Sequence, residues 1–290
     1  MKAAIYSQKK DLDTFLYLNK FISELALRDV SVVLHADMAE RLKFTKDFDT
    51  FSGKEELREK DVNIVFSFGG DGTILNALTF IQDLEIPIIG VNTGRLGFLA
   101  NFSKDEIFTE LDAIILDKNY NISKRSVIKI TSNDDANIDF PFALNDVSIS
   151  RKETTSMITV ESYINDDFLN VFWGDGLIIS TPTGSTAYSL SCGGPIISPA
   201  NDNFVITPIA PHNLNVRPLI VKDDTKIKLT VKSRVQEYTL ALDSRLYHMQ
   251  VGNEIMIEKA NFSLFLIKPK KFSFYETIRQ KLLWGNDKRN

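Results

Sequence analysis

The sequence predicts two architectures in one chain, an α/β region with a parallel sheet followed by an antiparallel β region. Three observations predict it. Over residues 1–118, short apolar runs alternate with segments whose apolar residues recur every three or four positions. From residue 119 that spacing stops, and short β-branched runs follow one another between turn residues. Helical spacing returns only at 273–284. Strands separated by helices favour a parallel sheet, with ligand sites beyond the carboxyl ends of its strands. Runs of strands without helices favour an antiparallel sandwich or stacked sheets.

In chain order, Ile5 marks a first strand, and Phe15, Leu18, Ile22 and Leu25 line one face of a helix. Residues 30–36 read as a second strand, and 44–60, mostly polar or charged, as an exposed connection. Residues 63–68 form a third strand around Val65 and Phe66, and a glycine-rich loop follows at once. Ile74, Leu78 and Ile81 mark a helix that starts in or just after that loop; 87–92 is a fourth strand. A helix with Ile107, Leu111, Ile114 and Ile115 on one face closes the region. The β region has strand-like runs at 127–130, 157–163, 176–180, 226–231, 238–242 and 254–257. Asn165-Asp166, Asp223-Asp224 and Gly252-Asn253 supply turns. The last helix carries Phe274, Ile278 and Leu282 on one stripe and is expected to pack back on the first domain. The expected domains are 1–118, 119–268 and the segment 269–290.

The 290 residues are 43% apolar and 25% charged, ordinary for a globular chain, and 20 Phe make aromatic burial a large part of the core. A net charge of −4, with both signs interspersed, excludes a chain built to coat nucleic acid or an anionic membrane. Cys192 is the single cysteine, so no internal disulfide forms and a reducing, cytoplasmic setting is expected. In Ser191-Cys192-Gly193-Gly194 it reads as a small residue in a tight segment. No signal peptide and no membrane-spanning run is expected. His35, His212 and His248 lack metal-site spacing, so no protein-held metal is expected.

The chemistry centres on Gly69-Gly70-Asp71-Gly72-Thr73. Glycines there permit positive φ and let backbone N–H groups approach a ligand. Such groups before a helix N-terminus form an anion site. A carboxylate in that nest is costly unless it contacts a metal or orients an attacking hydroxyl; Asp-Gly in an ordinary turn is the plainer alternative. The loop is neither a Walker loop nor the Gly-x-Gly-x-x-Gly fingerprint. Further on, Asn145 and Asp146 end an apolar run and either bond a base or ribose edge or merely open a turn. From Thr181 to Ser191, small hydroxyl residues and Gly184 let a ligand lie against the backbone, and Tyr188 offers a stacking face. A Ser/Thr-rich helix cap accounts for the same residues. Asp175-Gly176, on its own terms, is either a turn or part of the site.

The glycine-rich pentapeptide resembles one shared by NAD kinases, diacylglycerol and sphingosine-type lipid kinases and phosphofructokinases, which transfer phosphoryl groups to alcohols. Three further segments choose among them. Gly90-Val91-Asn92-Thr93-Gly94-Arg95-Leu96-Gly97-Phe98-Leu99, Leu144-Asn145-Asp146, and the stretch from Asp175 through Ser189 resemble, in order, motifs of NAD kinases. That family's architecture is likewise a Rossmann-like α/β domain followed by a β-sandwich-like domain. The resemblance implies that Asp71 acts on the 2′-hydroxyl of the adenosine ribose of NAD, with ATP or polyphosphate as donor and Mg²⁺ as the divalent metal. It implies a nucleotide site built from Gly69, Gly70, Asp71, Gly72, Thr73, Asn92, Asn145, Asp146, Asp175, Thr186, Ala187, Tyr188, Ser189, Leu190, Ser191, Ala210 and Arg245. It also implies a homo-oligomer, tetramer or dimer, whose neighbouring subunit completes part of that site. Several residues depart from the family's common versions. Asp146 stands where Glu is usual, Asn76 where some members carry a basic residue, Ser156 where some have His, and Asp243-Ser244-Arg245 where Asp-Gly/Ser-Gln is usual.

A carboxylate of ordinary basicity does not strip a ribose alcohol in the ground state; it orients the hydroxyl and accepts its proton late. Two rival readings remain at this stage. A lipid kinase would need a membrane-facing apolar or basic patch, and none is visible; a non-catalytic dinucleotide binder would have no use for a carboxylate beside phosphates.

Overall fold

The computed structural model describes every residue of the 290 except 10, 45–46, 95–96, 134–137, 153–155 and 285–290. The chain divides into two compact units, Met1–Lys124 with Leu264–Asn290, and Arg125–Ser263.

The first unit runs β1 (Lys2–Ser7), α1 (Leu12–Ala26), β2 (Ser31–His35), α2 (Ala36–Leu42), β3 (Asp49–Phe51), α3 (Lys54–Glu59), β4 (Ile64–Phe68), α4 (Asp71–Ile81), β5 (Ile88–Asn92), β6 (Phe102–Ser103) and α5 (Glu106–Ile115). Its strands lie in the order β5-β4-β1-β2-β3, every neighbour parallel. All residues of β4 and β5 are buried, as an apolar run must be when helices cover both faces of a parallel sheet. Helix α1 starts because the Asp11 carboxylate accepts the Thr14 N–H at 2.8 Å. It then buries Leu18, Phe21, Ile22 and Leu25, and the Phe21 ring meets Phe66 and Phe68 edge-on at 4.9 Å. The order reverses between β1 and β4, so a crevice opens beyond their carboxyl ends, where Gly69 to Thr73 sit.

The second unit is built on antiparallel strand pairs. It contains most of β7 (Asn121–Ser132), then β8 (Phe142–Ala143), β9 (Asp146–Arg151), β10 (Ile158–Ile164), β11 (Asp167–Gly174), β12 (Gly176–Ser180) and the short α6 (Tyr188–Ser191). After these come β13 (Asn203–Ile209), β14 (Leu219–Lys222), β15 (Ile227–Lys232), β16 (Glu237–Leu242), β17 (Arg245–Gln250) and β18 (Glu254–Lys268). One sheet runs β14-β13-β12-β9-β16-β17; β11, β10, β15 and the start of β18 pair in another. Alternate residues of β15 and β16 are buried, the period of two expected when one face meets a core. Asn165 and Asp166 turn β10 into β11 at φ 48° and 70°, the left-handed pair of a tight hairpin.

Within the first unit, Leu266 and Ile267 at the end of β18 run parallel to Ile88 and Ile89. Helix α7 (Phe274–Leu282) follows, capped by Ser273, whose hydroxyl oxygen accepts the Glu276 N–H at 3.3 Å. The parallel-then-antiparallel order is the one expected from the sequence. The units divide at 124/125 and 263/264, inside β7 and β18, whereas the sequence reading placed borders at 118/119 and 268/269. A long strand shows no change of composition where it passes from one unit to the next. The segment 44–60, expected to be an exposed connection, holds β3 and α3 and fully buries Phe51 and Leu57. A three-residue strand and a six-residue helix are too short to display a period.

Candidate active site

In the first unit, the site grows from the end of β4. Asp71 is the first residue of α4, and Gly70 precedes it as a cap without a side-chain hydrogen bond. Backbone N–H groups in a helix's first turn lack intrahelical partners, so those of Gly70 to Gly72 are available to an anion. Of the two reasons for glycine here, unobstructed backbone applies at Gly70 and Gly72 and positive φ does not. Gly70 adopts φ −89° and Gly72 is helical, so neither uses positive φ. At both, a side chain would meet nothing within 4 Å, leaving open space over the backbone. Gly69 is required by close approach, since a Cβ there would stand 2.1 Å from the Thr73 hydroxyl oxygen.

The Asp71 side chain is already engaged. Its Oδ2 accepts the Phe98 N–H at 2.8 Å, and Oδ1 accepts the Leu99 and Ala100 N–H groups at 3.0 Å each. A carboxylate has about four acceptor sites, so this clamp leaves one on Oδ2. Asn92, buried at the end of β5, accepts the Gly94 N–H at 2.7 Å and shapes the start of the same loop. Arg95 and Leu96 lie outside the described residues. Asn76 sits on α4, where its side chain bonds the Tyr6 hydroxyl.

In the second unit, Asn145 and Asp146 do not end a strand as expected; they lead out of the turn after β8 and open β9. Asp243 organises that turn, its carboxylate accepting the N–H groups of Leu144 at 3.0 Å, Asn145 at 2.7 Å and Asp146 at 3.4 Å. In return the Asp146 carbonyl accepts the Asp243 N–H at 3.0 Å. Asp146 is 5% exposed. Burial, with a smaller push from the Asp243 charge, raises its carboxyl to about 7. Burial also raises Asp243, opposed by its amide donors and by Arg245. Of the two, Asp243 holds the N–H donors and Asp146 is the one that takes a proton.

The Ser/Thr-rich segment packs on this turn. Thr181 donates its hydroxyl to the Leu144 carbonyl at 2.6 Å and its N–H to Asn145 at 2.9 Å. A Cβ on Gly184 would stand 2.0 Å from the Asn145 carbonyl oxygen, so only glycine fits there. A single 3-10 turn, Gly184–Thr186, breaks at Ala187 before α6. Thr186 bonds back to the Thr183 carbonyl, Ser189 is buried against the Thr207 hydroxyl at 2.9 Å, and Leu190 is half-buried. Tyr188 and Ser191 are exposed. Burial pushes the Cys192 thiol up, which keeps it protonated and fits the plain packing role.

Asp175 follows β11 in a bidentate pair with Arg151, at 3.0 and 3.1 Å. Ala210 is exposed at φ 40°, the one alanine in the left-handed region among the described residues. The Arg245 guanidinium donates to the carbonyls of Phe140 and Phe142 and lies 4.7 Å over the Phe140 ring. Ser156 is half-buried just before β10. Sequence reasoning missed Arg151 and the role of Asp243. Neither pairing has a local signal, since Asp243 meets its amides across nearly a hundred residues.

Comparison with known proteins adds relatives along the whole chain. Residues 12–120 match the ATP-NAD kinase N-terminal domain, and residues 144–268 the ATP-NAD kinase C-terminal domain. The NAD kinase of Christiangramia forsetii is 46% identical over 297 residues, covering all of both chains. That of Flavobacterium psychrophilum is 44% identical with the same coverage, and that of Porphyromonas gingivalis strain W83 is 40% identical over 98% of each chain. Among solved structures, yeast NADH kinase complexed with NADH shares the fold at TM-score 0.88 and 24% identity, over 99% of this chain and 89% of that one. An Archaeoglobus fulgidus NAD kinase in complex with ATP matches at TM-score 0.75 and 25% identity, over 98% and 99%.

Proposed function

From the premise that this chain belongs to the NAD kinase family, whose reaction phosphorylates NAD to NADP, we propose how its own residues carry that reaction. The observation that carries the reading is the Asp71 carboxylate. It stands at the first turn of α4, at the carboxyl edge of a parallel sheet where the strand order reverses, flanked by two glycines with open space above them.

The donor is ATP, the ligand of the Archaeoglobus relative, with polyphosphate as the alternative. Its terminal phosphates lie against the N–H groups of Gly70 to Gly72, where the helix end favours negative charge. The remaining acceptor site on Asp71 Oδ2 takes the 2′-hydroxyl of the adenosine ribose and fixes its oxygen in line with the γ-phosphorus. The O2′–P bond forms as the bridging P–O bond to ADP breaks, and the hydroxyl proton passes late to Oδ2. Such a transition state is loose, so positioning and charge stabilisation outweigh proton abstraction. Asn145, Asp146 and Thr186 hold the adenosine; Asp175, Ala187, Tyr188, Ser191 and Ala210 line the rest of the dinucleotide.

Among the described residues no three His, Cys, Asp or Glu side chains converge as a metal cage. That donor set fits Mg²⁺ held by the triphosphate and water, where the ion would neutralise phosphate charge. The homo-oligomer reading is supported by β11, which ends its sheet and exposes Phe168, Val171 and Trp173. A cytoplasmic location fits the single, protonated cysteine.

A coupled assay for NADP formed from NAD, Mg²⁺ and ATP, other triphosphates or polyphosphate tests the reading. Product is expected with ATP, and no product with any donor leaves a non-catalytic dinucleotide binder.

A further inference from the structure

We propose that Asp243 is a positioning residue for NAD. It sets the backbone of the Leu144–Asp146 turn so that Asn145 and Asp146 present their side chains to the nucleoside. The proposal rests on the reading that these two residues contact the adenosine.

Its basis is the geometry around one buried carboxylate. Asp243 is 3% exposed at its side chain and stands at φ 55°, where a side chain other than glycine is uncommon. Its two oxygens take three successive N–H groups, Leu144, Asn145 and Asp146, and its own N–H closes the loop onto the Asp146 carbonyl. Charge-assisted bonds of this kind are the strong ones, and a buried N–H left without its acceptor is costly. From the other side, Thr181 takes the Leu144 and Asn145 carbonyls, and Gly184 admits the Asn145 carbonyl where any Cβ would collide. The turn is therefore held by its amides through Asp243 and by its carbonyls through the Ser/Thr-rich segment. Only the side chains of Asn145 and Asp146 remain for a ligand. Arg245, 4.0 Å from Asp243, is held by the Phe140 and Phe142 carbonyls, so its charge stands beside the carboxylate.

The charged and titratable groups acting on Asp146 are Asp243 and, more weakly, the Tyr188–Cys192 pair, each of whose protons is held more tightly because of Asp146. Removing the Asp243 charge relieves Asp146 of its one carboxylate neighbour in this group, which gives the role a signature that packing alone does not have.

The test measures kcat and the KM values for NAD and ATP in wild type, Asp243→Asn and Asn145→Ala, with NAD affinity by calorimetry between pH 5.5 and 8.5. In Asp243→Asn the KM for NAD is expected to rise about tenfold or more, the scale of a lost charged hydrogen bond, while the KM for ATP stays within about twofold. The ionisation of Asp146, read as an inflection in NAD affinity with pH, is expected to move to lower pH once the Asp243 charge is gone. If Asp243→Asn melts below the assay temperature, Asp243→Glu, which keeps the charge but changes its reach, is expected to show the same KM split. A raised KM for NAD in Asn145→Ala with an unchanged one in both Asp243 variants overturns the proposal and leaves the nucleoside reading standing. No change in any of the three removes that reading itself.

Discussion

A side chain on Gly97 and the carboxylate of Asp71 are mutually exclusive: a Cβ at residue 97 would stand 1.9 Å from Asp71 Oδ1. The acid therefore dictates the composition of the loop it clamps. Gly97→Ala must push the carboxylate off the Leu99 and Ala100 amides or lift the loop. An error near 1 Å at a reacting group costs about 100-fold, so kcat should fall by that order while the melting temperature changes by only a few degrees. Steady-state kinetics beside a melting curve checks this, and an unchanged kcat would show that the clamp does not set the position of Asp71.

Arg151 grips both carboxylate oxygens of Asp175 through the Nε and Nη2 of one guanidinium edge, a geometry Lys cannot reproduce. Both side chains are part-exposed, so stability should change by less than about 1 kcal/mol in Arg151→Lys. The KM for NAD should nevertheless rise several-fold, because Asp175 loses its fixed orientation. Equal KM values in the two enzymes would mean that Asp175 needs no such hold.

Asp146 supplies a pH dependence with a definite sign. Its carboxyl is raised in the folded protein from 3.8 to about 7, so the folded state binds that proton more tightly than the unfolded chain. The associated stability is present below about pH 4 and is lost as pH rises toward 7. Asp146→Asn, which cannot ionise, should melt above wild type at pH 8, and the gap should narrow toward pH 5. A gap that is constant with pH would place the ionisation elsewhere.

The β11 edge should bury its apolar face against a second copy. Trp173→Glu, at a residue 49% exposed, should lower the molecular mass in light scattering by whole chains of 32.8 kDa, to one chain from a dimer or to two from a tetramer. An unchanged oligomer would move the interface to another surface.

Much of this was legible before any coordinates. The pentapeptide around Asp71 follows an apolar strand and precedes a helical stripe, so its place at the end of β4 comes from local pattern alone. The strands at Gly176–Ser180 and Glu237–Leu242 announce themselves by composition and alternation. What local pattern could not carry is the work of the two carboxylates. The partners of Asp71 lie 27 to 29 positions away, and those of Asp243 nearly a hundred. All of those partners are backbone N–H groups, which have no letter in a sequence. The same limit hides the partners of Arg245, which are the backbone carbonyls of Phe140 and Phe142.

The central claim is that the last acceptor site of Asp71 orients the attacking hydroxyl. Asp71→Asn tests it most directly, since the amide oxygen can keep the Leu99 and Ala100 N–H groups while the acceptor at Oδ2 is lost. With NAD binding measured by calorimetry and turnover by NADP formation, NAD affinity should stay within about threefold while kcat falls by at least ~100-fold, the usual range for a positioned acid–base group. Turnover near that of the wild type, with NAD still bound, would contradict the account.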